Sequence, residues 1–288
     1  MANLGSYFED DKNKIVDLID SVNTTESLPR PYLGMSQLGE DCARKLLYYF
    51  RWVSKDKIDG RVNRIFTTGH NAEIFMIEHL ESIGVKTWDT LDSQAGFSAV
   101  QNHCRGHSDG MALGVPGAKK TTHLLEFKTS SDKLFKLVKK KGVREEKYMH
   151  YCQMALYMYF SKTTRALYMV YNKNTSEYYI ERVEANNELA KDLIFKANLV
   201  ITSENPNDFQ KIGSGNASFY KCKFCNYSDV CHNNAKPHKN CRTCKFSDIL
   251  DDGKWGCSKH EIDDISTENQ AKGCGSHDYL EGFVTWED

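Results

Sequence analysis

The chain has 288 residues, 40% of them hydrophobic and 27% charged, with a formal net charge of −1. That length buries a sizeable core and suits one large domain or one domain with an appendage. The near-neutral charge excludes a globally basic nucleic-acid binder, so any such surface is local. No run is apolar enough for a membrane span, and the acidic, polar start does not read as a signal peptide. The expectation is a cytoplasmic protein, without a membrane partner, whose ten cysteines are reduced. In that setting Cys-x-x-Cys spacing points to metal rather than to disulfides.

Near the N-terminus, Ile15, Leu18, Ile19 and Val22 recur at helical spacing and predict an amphipathic packing helix. After Pro29 and Pro31, Ser36 reads as the N-cap of a helix running through CARKLLYYFRW, with Cys42 near its start. A longer helix is predicted from about Val62 to Ile83, with an apolar seam of Val62, Ile65, Phe66, Gly69, Ala72, Met76, Ile77 and Leu80. Glu73 falls on that seam, where a carboxylate is costly unless it is paired or bound to metal. His70 is the rival ligand on this turn, and a Glu73 that reaches solvent at the seam's margin is the plain alternative.

The stretches VKTWDTL and AGFSAV read as strands. They lead to a strand carrying Asp109, a loop through Gly114, Pro116 and Gly117, and the strand HLLEFKT. Side chains two apart share a strand face, so Glu126 and Lys128 lie together while Leu125 and Phe127 point the other way. Asp109 and Glu126 offer the oxygen ligands that Mg²⁺ or Mn²⁺ prefers. Such a metal lowers the pKa of a bound water and neutralises phosphate charge, and Lys128 would steady the transition state as a point charge. A solvated strand edge with a Glu–Lys pair is the alternative.

From Asp132 to Lys147 the chain holds seven Lys/Arg against three acids. Beside a phosphodiester site this run would contact phosphates; otherwise it is a solvated helix face. A long helix follows from about Glu145 to Phe160, on which Gln153 and Tyr157 share a face. The strand RALYMVYN, the turn NKNT, the strand EYYIERV and a helix around Asn187 to Ser203 close this part. The order of helices and strands predicts an α/β fold around a mixed sheet.

Asn205, Pro206 and the glycine-rich KIGSGNAS mark a boundary. We therefore expect a main domain over 1–212, a cysteine segment over 213–235, and a small ribbon-like region with an acidic tail over 236–288. Cys222, Cys225 and Cys231 need a fourth ligand, for which His232, His238 and the distant Cys42 are candidates. A second set, Cys241, Cys244, Cys257, His260, Cys274 and His277, reads as a small zinc ribbon. Cys274 is preferred over His260 because it completes a four-cysteine site. Cys104 and Cys152 are left over and expected to be buried. The tail DYLEGFVTWED is a candidate for partner docking or self-masking.

Together, Gly69-x-x-x-Glu73, GHSDG with Asp109, Glu126-Phe127-Lys128 and Gln153-x-x-x-Tyr157 resemble the PD-(D/E)XK nuclease superfamily in its RecB-like and lambda-exonuclease-like branch. The resemblance spans roughly residues 60 to 185. It implies a restriction-endonuclease-like core in which Glu73, Asp109, Glu126 and the Phe127 carbonyl bind Mg²⁺ or Mn²⁺, and Lys128 is catalytic. Gln153 and Tyr157 would position the DNA strand or the lysine. Many RecB-like members carry histidine where Glu73 stands, whereas lambda-exonuclease-like members carry glutamate.

Cys42 with Cys222, Cys225 and Cys231 resembles the pattern of AddB-type and CRISPR-associated members, which implies a [4Fe–4S] cluster as a structural staple, with zinc as the alternative. The activity implied is a DNA exonuclease in recombination, repair or phage DNA replication. A CRISPR-adaptation nuclease and a non-catalytic DNA-binding scaffold are the rivals. Besides DNA, a recombinase, a single-strand-binding protein or a helicase would be the partners.

Overall fold

The computed structural model describes residues 4–25, 28–55 and 57–284, with side chains from residue 13 onward. The end of the predicted acidic tail, 285–288, lies outside the described residues. Three helices lead in: α1 (Leu4–Asn23), α2 (Ala43–Phe50) and α3 (Gly60–Ser82), the last capped by the Asp59 carboxylate accepting from the Arg61 N–H at 2.7 Å. Short strands follow: β1 (Leu33–Gly34) between the first two helices, then β2 (Lys86–Trp88), β3 (Gly96–Ala99), β4 (Cys104–His107) and β5 (Gly110–Leu113). Next come β6 (His123–Ser130), the helices α4 (Asp132–Lys141), α5 (Val143–Glu146) and α6 (Tyr148–Ser161), and the hairpin of β7 (Arg165–Asn172) and β8 (Tyr178–Glu184). Helix α7 (Asn187–Thr202) completes this part.

The fold is mixed α/β. The main sheet has five strands in the order β2-β5-β6-β7-β8, with β6 and β7 parallel and every other pair antiparallel. Strand β7 is almost continuously apolar because helices cover both faces of the sheet, whereas β6 sets Glu126 and Lys128 among its apolar Leu124, Leu125 and Phe127. On one face α3 lays Ala72, Met76, Ile77 and Leu80 against Leu125, Phe127, Leu167 and Met169. On the other, α6 contributes Met154, Tyr157 and Met158 to a larger core shared with Leu124, Tyr168 and Val170. Strands β1, β4 and β3 form a second, three-stranded sheet.

Beyond the core lie α8 (Tyr220–Lys223), α9 (Ser228–His232), the hairpin strands β9 (Ser247–Ile249) and β10 (Trp255–Cys257), and α10 (Thr267–Lys272). Tyr227, Trp255, Leu280 and Phe283 join the main core, so this cysteine-rich stretch packs on the rest. Arg242 is fully buried: its guanidinium lies 3.8 Å over the Trp52 ring and donates to the Phe50 carbonyl at 3.1 Å, the Pro31 carbonyl at 2.8 Å and Gln270 Oε1 at 2.9 Å. Burial pulls its affinity for a proton well below the ordinary arginine value.

Several local expectations are corrected. Ser36 caps no helix; it sits inside a 3₁₀ turn, Met35–Gln37, and the next helix starts later, with Cys42 at its N-cap. The apolar stripe of α1 does not pack, since Ile15, Leu18, Ile19 and Val22 are exposed. Instead α1 meets α3 through Asp20, whose backbone a Cβ at Gly60 would strike at 2.5 Å, and through Asn63, which donates to the Asn23 carbonyl at 2.7 Å. The seam of α3 is likewise buried only from Ala72 onward; Ile65 and Phe66 are exposed. The helix expected over Glu145 to Phe160 is interrupted at Lys147, whose φ −132 and ψ 56 separate α5 from α6. Among the described residues, no helix is long and apolar enough to cross a membrane.

Candidate active site

Asp109 lies not within a strand but at the bend between β4 and β5. Gly110 makes the bend possible: its φ is +140, and a Cβ there would meet Thr90 Cγ2 at 2.5 Å. The bend turns the Asp109 carboxylate onto β6, where Oδ2 accepts from the Phe127 N–H at 2.6 Å. Pairing of β5 with β6 stops at Gly110 and Leu125, so the β6 edge at Phe127 meets this carboxylate instead of a strand. The N–H and C=O of one strand residue project to the same edge. The Phe127 carbonyl therefore faces the Asp109 side, where a metal ligand is expected.

Glu126 and Lys128 share the opposite face of β6 from Leu125 and Phe127, as alternation requires, but that face is not a solvated edge. Glu126 is completely buried beneath α6. The Lys128 ammonium forms an ion pair with Glu126 and stands 4.0 Å from Asp109 Oδ2, bridging the two carboxylates. Apart from that ion pair, neither Glu126 carboxylate oxygen has a hydrogen-bond donor. Burial, with Asp109 adding to it, pushes the Glu126 carboxyl up to about 8 against the pull of Lys128. Burial also raises Asp109, while Lys128 and the Phe127 N–H pull it down. Burial works against the charge on Lys128, yet its two carboxylate neighbours hold its affinity for protons far above the ordinary lysine value.

Glu73 is half-buried on α3 and accepts from Gln94 Nε2 at 2.9 Å. Its carboxyl is raised, by burial first and then by the charge of Asp109. His70 is exposed one turn earlier. A Cβ at Gly69 would meet nothing within 4 Å, so the surface above Glu73 is open. Gln153 and Tyr157 are buried on the face of α6 turned toward β6, and Gln153 Nε2 donates to the Tyr157 hydroxyl at 3.4 Å.

Three further residues belong to the site. Tyr168 on β7 is the ladder partner of Glu126, so its side chain stands beside Glu126 and Lys128. Its hydroxyl is 2.8 Å from His150 Nδ1. Burial, and then the Lys128 charge, depress His150 to about 3, which leaves a neutral imidazole at ordinary pH. Gln94 is the third. The register that puts Tyr168 opposite Glu126 joins strands 42 residues apart, and no local pattern in the sequence carries it.

Among the described residues, no group of three or more His, Cys, Asp or Glu is drawn together as a finished metal cage. Around β6 the ammonium of Lys128 itself spans Glu126 and Asp109. The donor set nevertheless fits a hard divalent cation: three carboxylates and a free-edge carbonyl, with Glu126 buried and short of donors.

The cysteines gather in two places. Cys42, Cys222, Cys225 and Cys231 line one cleft, together with His232. His238 lies elsewhere, its N–H donating to the Val53 carbonyl at 2.7 Å. Cys241, Cys244, Cys257 and Cys274 line a second, smaller pocket with His260 and His277. There Cys274 Sγ is 3.8 Å from His260 Nε2, and His277 Nε2 is 3.2 Å from the Thr243 hydroxyl. All ten cysteines are free, and Cys104 and Cys152 are buried in the core. In the basic run, Lys136 pairs with Asp132, Lys139 with Glu177 and Lys141 with Glu145, so much of its charge is met within the chain.

No protein-family model matches the sequence, and no curated protein matches it. Among solved structures, the chain is similar to the alkaline exonuclease LHK-Exo from Laribacter hongkongensis, at 12% identity and TM-score 0.45 over 60% of this chain and 87% of that one. It is also similar to LHK-Exo in complex with dAMP, at 11% identity and TM-score 0.42 over 59% and 86%. A third, SSO0001, shows 12% identity and TM-score 0.43 over 72% and 88%. Both identity and superposition are weak, and the roles of residues in this chain rest on its own geometry.

Proposed function

We propose that this chain is a divalent-metal-dependent deoxyribonuclease of the PD-(D/E)XK kind, acting as an exonuclease on DNA ends. One observation carries the reading: Asp109, Glu126 and Lys128 meet at the free edge of β6, with Glu126 fully buried and its oxygens otherwise without donors. A protein gains nothing in stability from a buried carboxylate held this way, which argues for chemistry at that position.

Glu73, Asp109, Glu126 and the Phe127 carbonyl would hold Mg²⁺ or Mn²⁺. When bound, the cation supplies an activated water and charge neutralisation at the phosphate. Lys128, held between Asp109 and Glu126, would offer its ammonium to a phosphate oxygen, where a fixed positive charge favours the more anionic transition state. Asp109 keeps its aim through the Phe127 N–H, and Glu73 through Gln94. Tyr157, steadied by Gln153, closes the site on the α6 side and orients the strand or Lys128.

Cys42, Cys222, Cys225 and Cys231 would hold a [4Fe–4S] cluster, with zinc as the alternative, and Cys241, Cys244, Cys257 and Cys274 would hold zinc. Their shared lining of two separate pockets supports both assignments. Recombination, repair or phage DNA replication is the setting such an activity serves, with a recombinase, single-strand-binding protein or helicase alongside.

Digestion of end-labelled linear and covalently closed circular DNA with Mg²⁺ or Mn²⁺ tests this. Linear DNA should be consumed from its ends while circles survive. Equal attack on circles would remove the exonuclease assignment, and no digestion of either would remove the nuclease.

A further inference from the structure

The limb that delivers Asp109 is set apart from the main sheet. Strands β3 and β4 pair with each other in a register of four residues, and β4 pairs on its other side with β1. Gln94 stands two residues before this hairpin and Asp109 two residues after it. Asp109 accepts from the Phe127 N–H, and Gln94 donates to Glu73. The base of one hairpin therefore aims two of the three carboxylates at the site.

The tip of the same hairpin is strained. Val100, Gln101 and Asn102 are all left-handed, with φ of 48°, 52° and 67°. Residues with side chains disfavour that conformation, and β-branched Val100 is the worst suited of the three. Such a run persists only where its surroundings over-determine it. The surroundings here are the turn Asp251–Gly253 between β9 and β10, some 150 residues away in the chain. The Gly253 N–H donates to the Gln101 carbonyl at 2.7 Å, and Asn102 Nδ2 donates to Asp252 Oδ1 at 3.3 Å. His103, fully buried between the Phe50 and Trp255 rings, meets the Leu250 carbonyl through Nε2 at 2.7 Å. On β4, Arg105 Nε donates to the Asn102 carbonyl at 2.6 Å. Gly253 itself has φ +72°; a Cβ on it would run into the Arg105 guanidinium and stand 3.1 Å from the Asn102 carbonyl. Only glycine permits so close a joint.

We propose that the turn Asp251–Gly253 is a positioning element of the nuclease site, holding the β3–β4 tip left-handed so that the hairpin sets Asp109 and Gln94 at its base. Gly253 and Asn102 are the positioning residues, acting through the hairpin rather than on substrate. The cysteine-rich end thus shapes the site across the length of one hairpin. The inference rests on the nuclease reading for what Asp109 and Glu73 do, but the clamp is measured without metal or DNA.

The test is amide hydrogen exchange on the full chain. The Phe127 N–H is bonded to Asp109 rather than to a strand, so its exchange reports how firmly that carboxylate is held. Gly253→Ala and Asn102→Ala should each speed exchange at Phe127 about tenfold or more, while amides of β7 keep wild-type rates. Asn102→Gly, which adopts the left-handed form freely, should restore most of the protection. Gly253→Ala should also raise the Mn²⁺ concentration for half-maximal cleavage about tenfold to a hundredfold, as loosening the support of metal ligands does. Asn102→Ala leaves the ribbon's own sequence intact and carries the test should Gly253→Ala fail to fold. Wild-type exchange at Phe127 in a folded Asn102→Ala variant overturns the inference. Equal acceleration at Phe127 and across β7 overturns it as well, since the clamp would then be general stability alone. Selective acceleration at Phe127 in a chain whose wild type cleaves no DNA with metal would instead overturn the nuclease reading and leave the clamp standing.

Discussion

Gly106 lies directly against Tyr157: a Cβ built on this glycine would stand 2.5 Å from the phenol oxygen and 2.7 Å from Cε1. The first glycine of GHSDG thus does steric work on a helix residue 51 positions away, letting the α6 tyrosine approach β4 and the carboxylate cluster. Gly106→Ala should move the ring and slow cleavage about tenfold to a hundredfold, as displacements of about 1 Å at an active site do. Tyr157→Phe should slow cleavage alone, and the double variant should fall less than the two singles multiplied, because removing the oxygen relieves part of the clash. Multiplicative losses in single-turnover assays would show that the two residues act independently.

Glu126→Gln, Asp109→Asn and Lys128→Ala should each abolish measurable cleavage. The carboxylate variants carry a second signature. A cation that binds only the folded chain raises its melting temperature by mass action, so Mg²⁺ or Mn²⁺ should raise that of the wild type and of Lys128→Ala. Glu126→Gln and Asp109→Asn should respond weakly or not at all. A full metal-induced shift in Glu126→Gln would remove this residue from the ligand set.

His150 sets a pH dependence whose sign follows from its depressed value. Its ordinary value is 6.5 and its folded value about 3, so the unfolded chain takes up the proton first as pH falls. The stability gained by keeping it neutral is complete above 6.5 and is lost as pH drops toward 3. Urea unfolding midpoints should fall between pH 6.5 and 4 more steeply in the wild type than in His150→Asn. Asparagine keeps an acceptor for Tyr168 without a titratable group. Parallel midpoint curves for the two proteins would show that another group governs acid unfolding.

The two cysteine clefts predict a metal inventory. Protein prepared without oxygen should be brown with about four irons per chain, as a [4Fe–4S] cluster requires, plus zinc from the second pocket. Cys42→Ser should bleach the colour and lower the melting temperature, because site formation is coupled to folding. Colourless, iron-free protein with two zincs would sink the cluster and return His232 to contention, since His232 lines the cleft and His238 does not.

The parts of this architecture readable from sequence are those fixed by local periodicity and by spacing. Alternation along HLLEFKT places Glu126 and Lys128 on one face, and the structure keeps them there. The two long hairpin strands fall where RALYMVYN and EYYIERV put them. Spacing also groups the C-terminal cysteines as the clefts do, whereas Cys42 joins the first set only through the family resemblance. What escaped is set by tertiary register. Tyr168 and His150 look like ordinary members of apolar elements until β7 is laid beside β6. The exposed stripe of α1 misled in the opposite direction, since amphipathic spacing shows that a face is apolar but not what covers it.

The buried Arg242 has a consequence for synthesis. Its acceptors at Phe50 and Pro31 lie 192 and 211 residues earlier in the chain. At about 5–20 residues per second of translation, those carbonyls, and the Trp52 ring beside them, wait on the order of 10–40 seconds for their partner. The sheet can assemble once β8 has left the ribosome, while the N-terminal layer beneath Trp255 stays unsatisfied. A ribosome-tethered chain stalled before residue 242 should therefore be cut by protease around Trp52, and protection there should appear only once the last cysteines emerge.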